Sequence, residues 1–334
     1  MEPILLLAHT EADGTLGRPA LEALSAALAL GGPLAIGLVG AQVKPAADRI
    51  GGCGAARFLA VEGEAFAQPR YATDAAGAEA LCRAAGCAIV LAAGTSRWAR
   101  ALPGVAYRLG GRVDTHVANL GERDGALSVT RWFYRQRMEA VLSRAQRPWV
   151  VLLDPGCVDP WTGAPARAAV EVVTIEHPTS RTAVSGYRAP KSGEQTIRPD
   201  AKLLFVAGAG WTKKQADGAA HTAEAEELIL GFLRASRASL GGSKSLVDLS
   251  GEGEAVLRFM THMNQVGQTG STPRHPKGLS TCCHGEEPHV VGWRFIRERR
   301  AINLDANCGW ARGKADVLYV ADAFEVMRHL NRLL

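Results

Sequence analysis

The run Val266-Gly267-Gln268-Thr269-Gly270 sets two glycines around an amide and a hydroxyl, with Asn264 and Gln265 immediately before it. Such a loop offers backbone N–H groups and neutral side-chain donors to an anion or to a ring edge. The same composition also makes an ordinary turn. Ala301-Ile302-Asn303-Leu304-Asp305 ends an apolar run on polar side chains, where an open parallel sheet binds ligands and where Asn and Asp also form turns. Gly208-Ala209-Gly210 follows the apolar run 203–207 in the place of a dinucleotide phosphate turn. It lacks the third glycine and the later acidic residue of that fingerprint, so an ordinary strand-to-helix turn is the simpler reading.

Cys282-Cys283-His284, with His275, His289 and Cys308 around it, has the residue types of a zinc site but not the spacing. Adjacent cysteines seldom share one ion and no C-x₂-C pair repeats, so no metal is expected. The basic stretch 294–300 reads as a solvated connection between strands. No P-loop, G-x-S-x-G or H-E-x-x-H motif occurs, which leaves nucleotide hydrolysis, esterase and zincin chemistry unsupported.

These groups must be held by a scaffold, and the chain has the means for two. Its 334 residues are 47% hydrophobic and 21% charged, enough for two cored domains and too apolar for disorder. The 38 Lys and Arg against 33 Asp and Glu leave a net charge of +5, thinly spread; a nucleic-acid protein would concentrate it on one face. Residues 23–43 carry no charge over nearly a membrane's width, but Gly31-Gly32-Pro33 breaks them into helix, turn and buried strand. Without a signal peptide or spanning helix, and with seven scattered cysteines, a reducing cytoplasm is the expected compartment.

Short apolar runs at 4–8, 34–39, 57–61 and 88–92 alternate with helical patterns at 21–30 and 75–85, the rhythm of parallel βαβ units. Closely spaced β-rich runs at 127–134 and 138–142 predict hairpin-like strands, followed by 149–153 and 170–175. The Pro-, Ser- and Arg-rich stretch 176–200 reads as the crossing between domains. A second series follows, with strands at 203–207, 289–293, 301–304 and 317–320 and helices at 223–234, 254–263 and 324–334. The expected fold is α/β: an N-terminal parallel-sheet domain over 1–185, a linker over 186–200 and a doubly wound ligand-binding domain over 201–334.

In order, these pieces resemble the α subunit of electron-transfer flavoproteins. Val266 to Gly270 matches that family's flavin-loop motif, and His289-Val-Val-Gly292-Trp293 resembles its His-Leu-Ala-Gly-Met. Ala301-Ile302-Asn303-Leu304-Asp305 is similar to its Ala-Ile-Asn-Lys-Asp, and Ala315-Asp316 with Val320-Ala321-Asp322 to its closing Ala-Asp-Tyr and Val-Ala-Asp. The resemblance implies FAD in the second domain and a β subunit, possibly AMP-bound, as partner. It further implies electron shuttling from primary flavoprotein dehydrogenases to a membrane quinone oxidoreductase, the dehydrogenases oxidising acyl-CoA or N-methylated amines. Thr269 would lie near flavin N5 and His289 near the O2 edge, where an imidazolium stabilises the charge that builds on reduction. Gln265 and Gln268 would hold the ring or ribityl chain, Ser243 the phosphate side, and Asn303 and Asp322 the adenosine part.

The sequence also departs from the pattern. Where the family has Gly-Ile-Ser-Gly-Ala-Ile-Gln-His, this chain has Cys282-Cys283-His284-Gly285-Glu286-Glu287-Pro288-His289, keeping Gly285 and the final His. His284, in place of a serine, retains a donor for phosphate, whereas Glu286 and Glu287 would repel it unless turned away. Lys244 stands for an arginine over the flavin ring, keeping charge without the planar stack. Gly210 alone represents the family's Ser-Gly-Gly-Arg-Gly turn. Two alternatives follow: a flavin-free docking subunit of a dehydrogenase complex, and a nicotinamide-dependent oxidoreductase using Gly208 and Gly210.

Overall fold

The structure is a computed structural model that describes residues 2–123, 125–134, 138–176, 181–187, 198, 201–248, 256–266, 274–281 and 296–334, with only the backbone of Trp310. The chain forms two compact units, Met1–Tyr187 and Arg188–Leu334.

In the first unit β1 (Ile4–His9), β2 (Leu34–Gly40), β3 (Arg57–Glu62) and β4 (Ile89–Ala93) are nearly continuous apolar runs, as strands covered on both faces must be. Helices α1 (Arg18–Ala29), α2 (Lys44–Ile50), α3 (Tyr71–Ala85) and α4 (Ser96–Arg108) connect or follow them. The rest are β5 (Arg112–Arg123), β6 (Ala126–Phe133), β7 (Met138–Leu142), β8 (Trp149–Leu153) and β9 (Val170–Val172). They form one nine-stranded sheet in the order β7-β6-β5-β8-β4-β1-β2-β3-β9. The β5–β6 and β6–β7 pairs are antiparallel and all others parallel. Alternation of side chains divides the core: Leu6, Ala8, Ile36 and Leu38 pack with Ala23, Leu24, Ala46 and Ile50 on one face. Leu5, Leu7, Val39 and Leu59 pack with Leu81, Trp98 and Leu102 on the other.

The second unit holds β10 (Leu203–Ala207), β11 (Ser239–Gly242), β12 (Lys277–Thr281), β13 (Glu298–Asn303) and β14 (Val317–Val320), all parallel, in the order β11-β10-β12-β13-β14. Its helices are α5 (Thr222–Ser236), α6 (Lys244–Asp248), α7 (Gly309–Lys314) and α8 (Ala323–Leu333). Phe205, Leu240 and Ile302 meet Phe232 of α5 and Met327 of α8 on one face, with the Phe205 and Phe232 rings 5.5 Å apart. Leu204, Val206 and Ala301 face Val266, Ile296, Cys308 and Ala311 on the other. Two parallel-sheet units make the chain α/β throughout, as the alternation of apolar runs and helical patterns predicts.

Two departures from the sequence reading have local causes. The helix expected over 254–263 is not formed by its described part: only His262–Asn264 makes a 3-10 turn. Thr261 closes that turn with a capping box, its hydroxyl accepting from Met263 N (3.2 Å) and its amide donating to Asn264 Oδ1 (3.1 Å), local bonds that compete with helix continuation. Helix α4 is hidden by Pro103 and Gly104 in its middle. A Cβ at Gly104 would stand 2.1 Å from the Tyr71 hydroxyl, so a larger residue there would push the Tyr71 ring off the helix. The strand expected at 289–293 lies outside the described residues, while β12 supplies the central partner of β10.

The uncharged stretch 23–43 divides as expected into α1, a turn with Gly31 at φ +67°, and β2. No described helix is long and apolar enough to cross a membrane. Five cysteines are free among the described residues, and burial pushes the Cys82 thiol up to about 12, which leaves it an inert core group.

Candidate functional site along the C-terminal edge of the second sheet

The order β11-β10-β12-β13-β14 reverses direction between β10 and β12, and open α/β sheets bind ligands beyond the strand C-termini at such a point. Seven residues singled out from sequence lie along this edge, which spans about 19 Å from β11 to β14 at the usual strand spacing.

Beyond β10, Gly210 sits in the 3-10 turn Ala209–Thr212, its carbonyl accepting from Lys213 N (3.3 Å) and Gln215 Nε2 (3.2 Å). The turn is pinned by Trp211, which donates from Nε1 to Thr281 Oγ1 at the end of β12 (2.8 Å) and packs 4.6 Å from Phe324. Beyond β11, Ser243 is buried; its amide donates to Ala207 O (2.9 Å) and its hydroxyl accepts from Leu246 N (3.1 Å), starting α6. Lys244 follows, about half exposed, its ammonium paired with Asp248. Asp248 also meets His262 Nε2 at 3.2 Å, and both partners hold its carboxyl below the usual range, the Lys244 hydrogen bond foremost.

Gln265 and Val266 come back to the same place. Gln265 bridges Gly242 in parallel register, and Val266 N donates to Gly242 O (3.0 Å). The approach favours glycine in β11: a Cβ at Gly241 would stand 2.4 Å from Val266 Cγ2, whose short branched side chain has little freedom to move, and one at Gly242 would displace the tip of Met260. These glycines explain why β11, Ser-Leu-Gly-Gly, carries so little of a strand's apolar signal.

At the far side Asn303 ends β13 and Asp322 follows β14, with Asn303 and Val320 in register. Asp322 Oδ1 accepts from Glu325 N (3.0 Å) and caps α8. Asn303 is 1% exposed; its Oδ1 accepts from Asp305 N (2.9 Å), while its Nδ2 is buried with no hydrogen-bond partner among the described residues. A neighbouring orphan, Ser280 Oγ on β12, lies on the same sheet face. A buried donor left unmatched costs about 1–3 kcal/mol. An acceptor supplied by a ligand relieves that cost, so this edge fits a cofactor with polar sugar or base atoms. Ser280 was not singled out from sequence; a lone serine inside β12 gives no motif to find it by.

Gly267, Gln268, Thr269, Gly270, His284, Gly285 and His289 lie outside the described residues, as do Cys282, Cys283, Glu286 and Glu287. Among the described residues no group of His, Cys, Asp or Glu is placed to hold a metal ion.

The fold defines an α/β protein with one large mostly parallel sheet and a second parallel sheet, and comparison with known proteins narrows this. The model of the electron transfer flavoprotein domain matches residues 4–180, within the first unit and over half of the chain. The chain belongs to the electron transfer flavoprotein family, as the resemblance in its C-terminal third leads one to expect. Proteins of this family are flavoproteins and usually pair with a β subunit and dehydrogenases. No curated protein matches the chain. Among solved structures it is similar to SsfS6, a glycosyltransferase of Streptomyces sp. SF2575, at 11% identity over all of this chain and 91% of that one. The TM-score is 0.26, too low to carry any argument.

Proposed function

We propose that the chain is the α subunit of a heterodimeric electron-transfer flavoprotein and that its C-terminal domain, 201–334, binds FAD. In this reading it takes electrons from primary flavoprotein dehydrogenases acting on acyl-CoA or N-methylated amines and delivers them to a membrane quinone oxidoreductase, from the cytoplasm. The observation that carries the reading is the convergence of Gly210, Ser243, Lys244, Gln265, Val266, Asn303 and Asp322 on one sheet edge, with the buried Asn303 Nδ2 left without a partner among the described residues.

FAD, when bound, supplies the chemistry by accepting and releasing electrons singly or in pairs. The chain's residues bind and orient it. Asn303 donates from Nδ2 to the adenosine portion while the Asp305 amide fixes its Oδ1. Asp322, held by the α8 amide at Glu325, offers its remaining carboxylate oxygen to the same portion. Ser243 would set the start of α6 on the phosphate side, and Gln265 and Val266, held beside Gly242, would lie next to the ring or ribityl chain. Thr269, His289, His284 and Gly285 lie outside the described residues; the family pattern would give the first two the N5 and O2 sides and the last two the pyrophosphate side.

One observation favours the flavin-free docking reading: the Lys244 ammonium is already engaged by Asp248. Titrating the full-length chain, co-expressed with its β subunit, with FAD separates the two. Saturable one-to-one quenching of flavin fluorescence supports the carrier, and its absence supports the docking subunit.

A further inference from the structure

The nine-stranded sheet of the first unit has its own reversal point, between β1 and β4. A cavity of about 440 Å³ opens at the C-terminal ends of these two strands, lined by His9 and Thr10 after β1 and by Thr95, Ser96 and Arg97 at the start of α4. None of these residues belongs to the site described above.

Arg97 is the unusual member. Its side chain is 7% exposed, yet it lines the cavity. Nε and Nη2 donate to Asp74 Oδ1 (3.0 and 2.7 Å) and Nη2 also to Phe66 O (2.7 Å). Nη1 has no hydrogen-bond partner among the described residues. Asp74 is shared with Arg100, 3.8 Å from Oδ2, so two guanidinium groups stand against one carboxylate.

The helix adds to this. α4 runs for 13 residues from an N-cap at Thr95, whose hydroxyl accepts from Trp98 N (3.4 Å). The first intrahelical bond is Ala99 N to Thr95 O (2.8 Å), which leaves the Ser96 and Arg97 amides pointing out of the helix start. Amides at the positive end of a helix, beside a guanidinium N–H that no described protein group engages, suit an anion. Glu11, the carboxylate lining this cavity, turns instead to the start of α1, where a Cβ at Gly17 would stand 2.8 Å from its Oε1.

We infer that this cavity binds a small phosphomonoester, its phosphate held by Arg97 Nη1, the Ser96 and Arg97 amides and the Ser96 hydroxyl, and its organic part against Pro69 and Tyr187. The volume exceeds what a bare phosphate fills, and these two side chains give the remainder an apolar wall.

The test is calorimetric titration of the full-length chain with inorganic phosphate and with phenyl phosphate. Saturable binding of both, with phenyl phosphate the tighter, is expected. Equal affinities would overturn the organic part of the assignment, and binding of neither would overturn the site. Ser96→Glu locates it: a carboxylate in the first turn suits the helix and holds or raises the melting temperature, while weakening phosphate binding about tenfold or more by like-charge repulsion. A Ser96→Glu protein that binds phenyl phosphate as the wild type does would place the anion elsewhere and contradict the inference.

Discussion

Asn303 divides its amide between two tasks. The Oδ1 holds the Asp305 turn, while the buried Nδ2 waits for an acceptor. Asn303→Ala loses one turn bond but also removes an unmatched buried donor, so without cofactor its stability is expected to stay within about 1 kcal/mol of the wild type, while FAD affinity falls roughly tenfold. Melting curves and flavin titration measure the two effects, and an unchanged affinity would remove Asn303 from the site. His9 carries a pH effect. Burial, then the Arg97 charge, lowers its pKa from the ordinary 6.5. The folded state thus binds this proton less readily than the unfolded chain, so the contribution is intact above 6.5 and declines as the pH falls toward the folded value. Melting temperature should drop between pH 7.5 and 5.5, and His9→Gln should flatten that drop; an equal slope in the variant would assign it to other groups.

At the scale of elements, what positions the edge is the packing of β10, β13, α5 and α8. Phe205 is fully buried between β10 and α5, and Phe205→Ala should cost about 3–5 kcal/mol. Hydrogen exchange should show protection falling in β10 to β14 while β1 to β4 keep theirs; equal loss in both sheets would mean that the units share one folding transition. Legibility followed the same division. The strands at Trp149–Leu153 and Val317–Val320, and the hairpin strand Met138–Leu142, are readable because apolar content and boundaries coincide. β11 and β12 are not, since Ser-Leu-Gly-Gly and Lys-Gly-Leu-Ser-Thr spend their positions on close backbone approach and a polar edge rather than on bulk. α4 is concealed by Pro103, whose cost its packing overrides. Of the proposed cofactor residues, those in motifs are readable, while Ser280 shows only through its burial and unpaired hydroxyl, and Arg97 of the first unit's cavity only through its burial.

For the whole molecule, the family match rests on residues 4–180 while the proposed cofactor residues begin at 210. Membership and cofactor are thus supported by different parts of the chain, and they can be tested apart. A subunit that kept the first unit as a family scaffold but lost the second unit's ligand would still pair with a β subunit. The direct measurement is the absorption spectrum of the full-length chain purified with its co-expressed β subunit. Flavin bands at close to one FAD per heterodimer are what the account predicts; a colourless, well-folded heterodimer that takes up no FAD on reconstitution would contradict it.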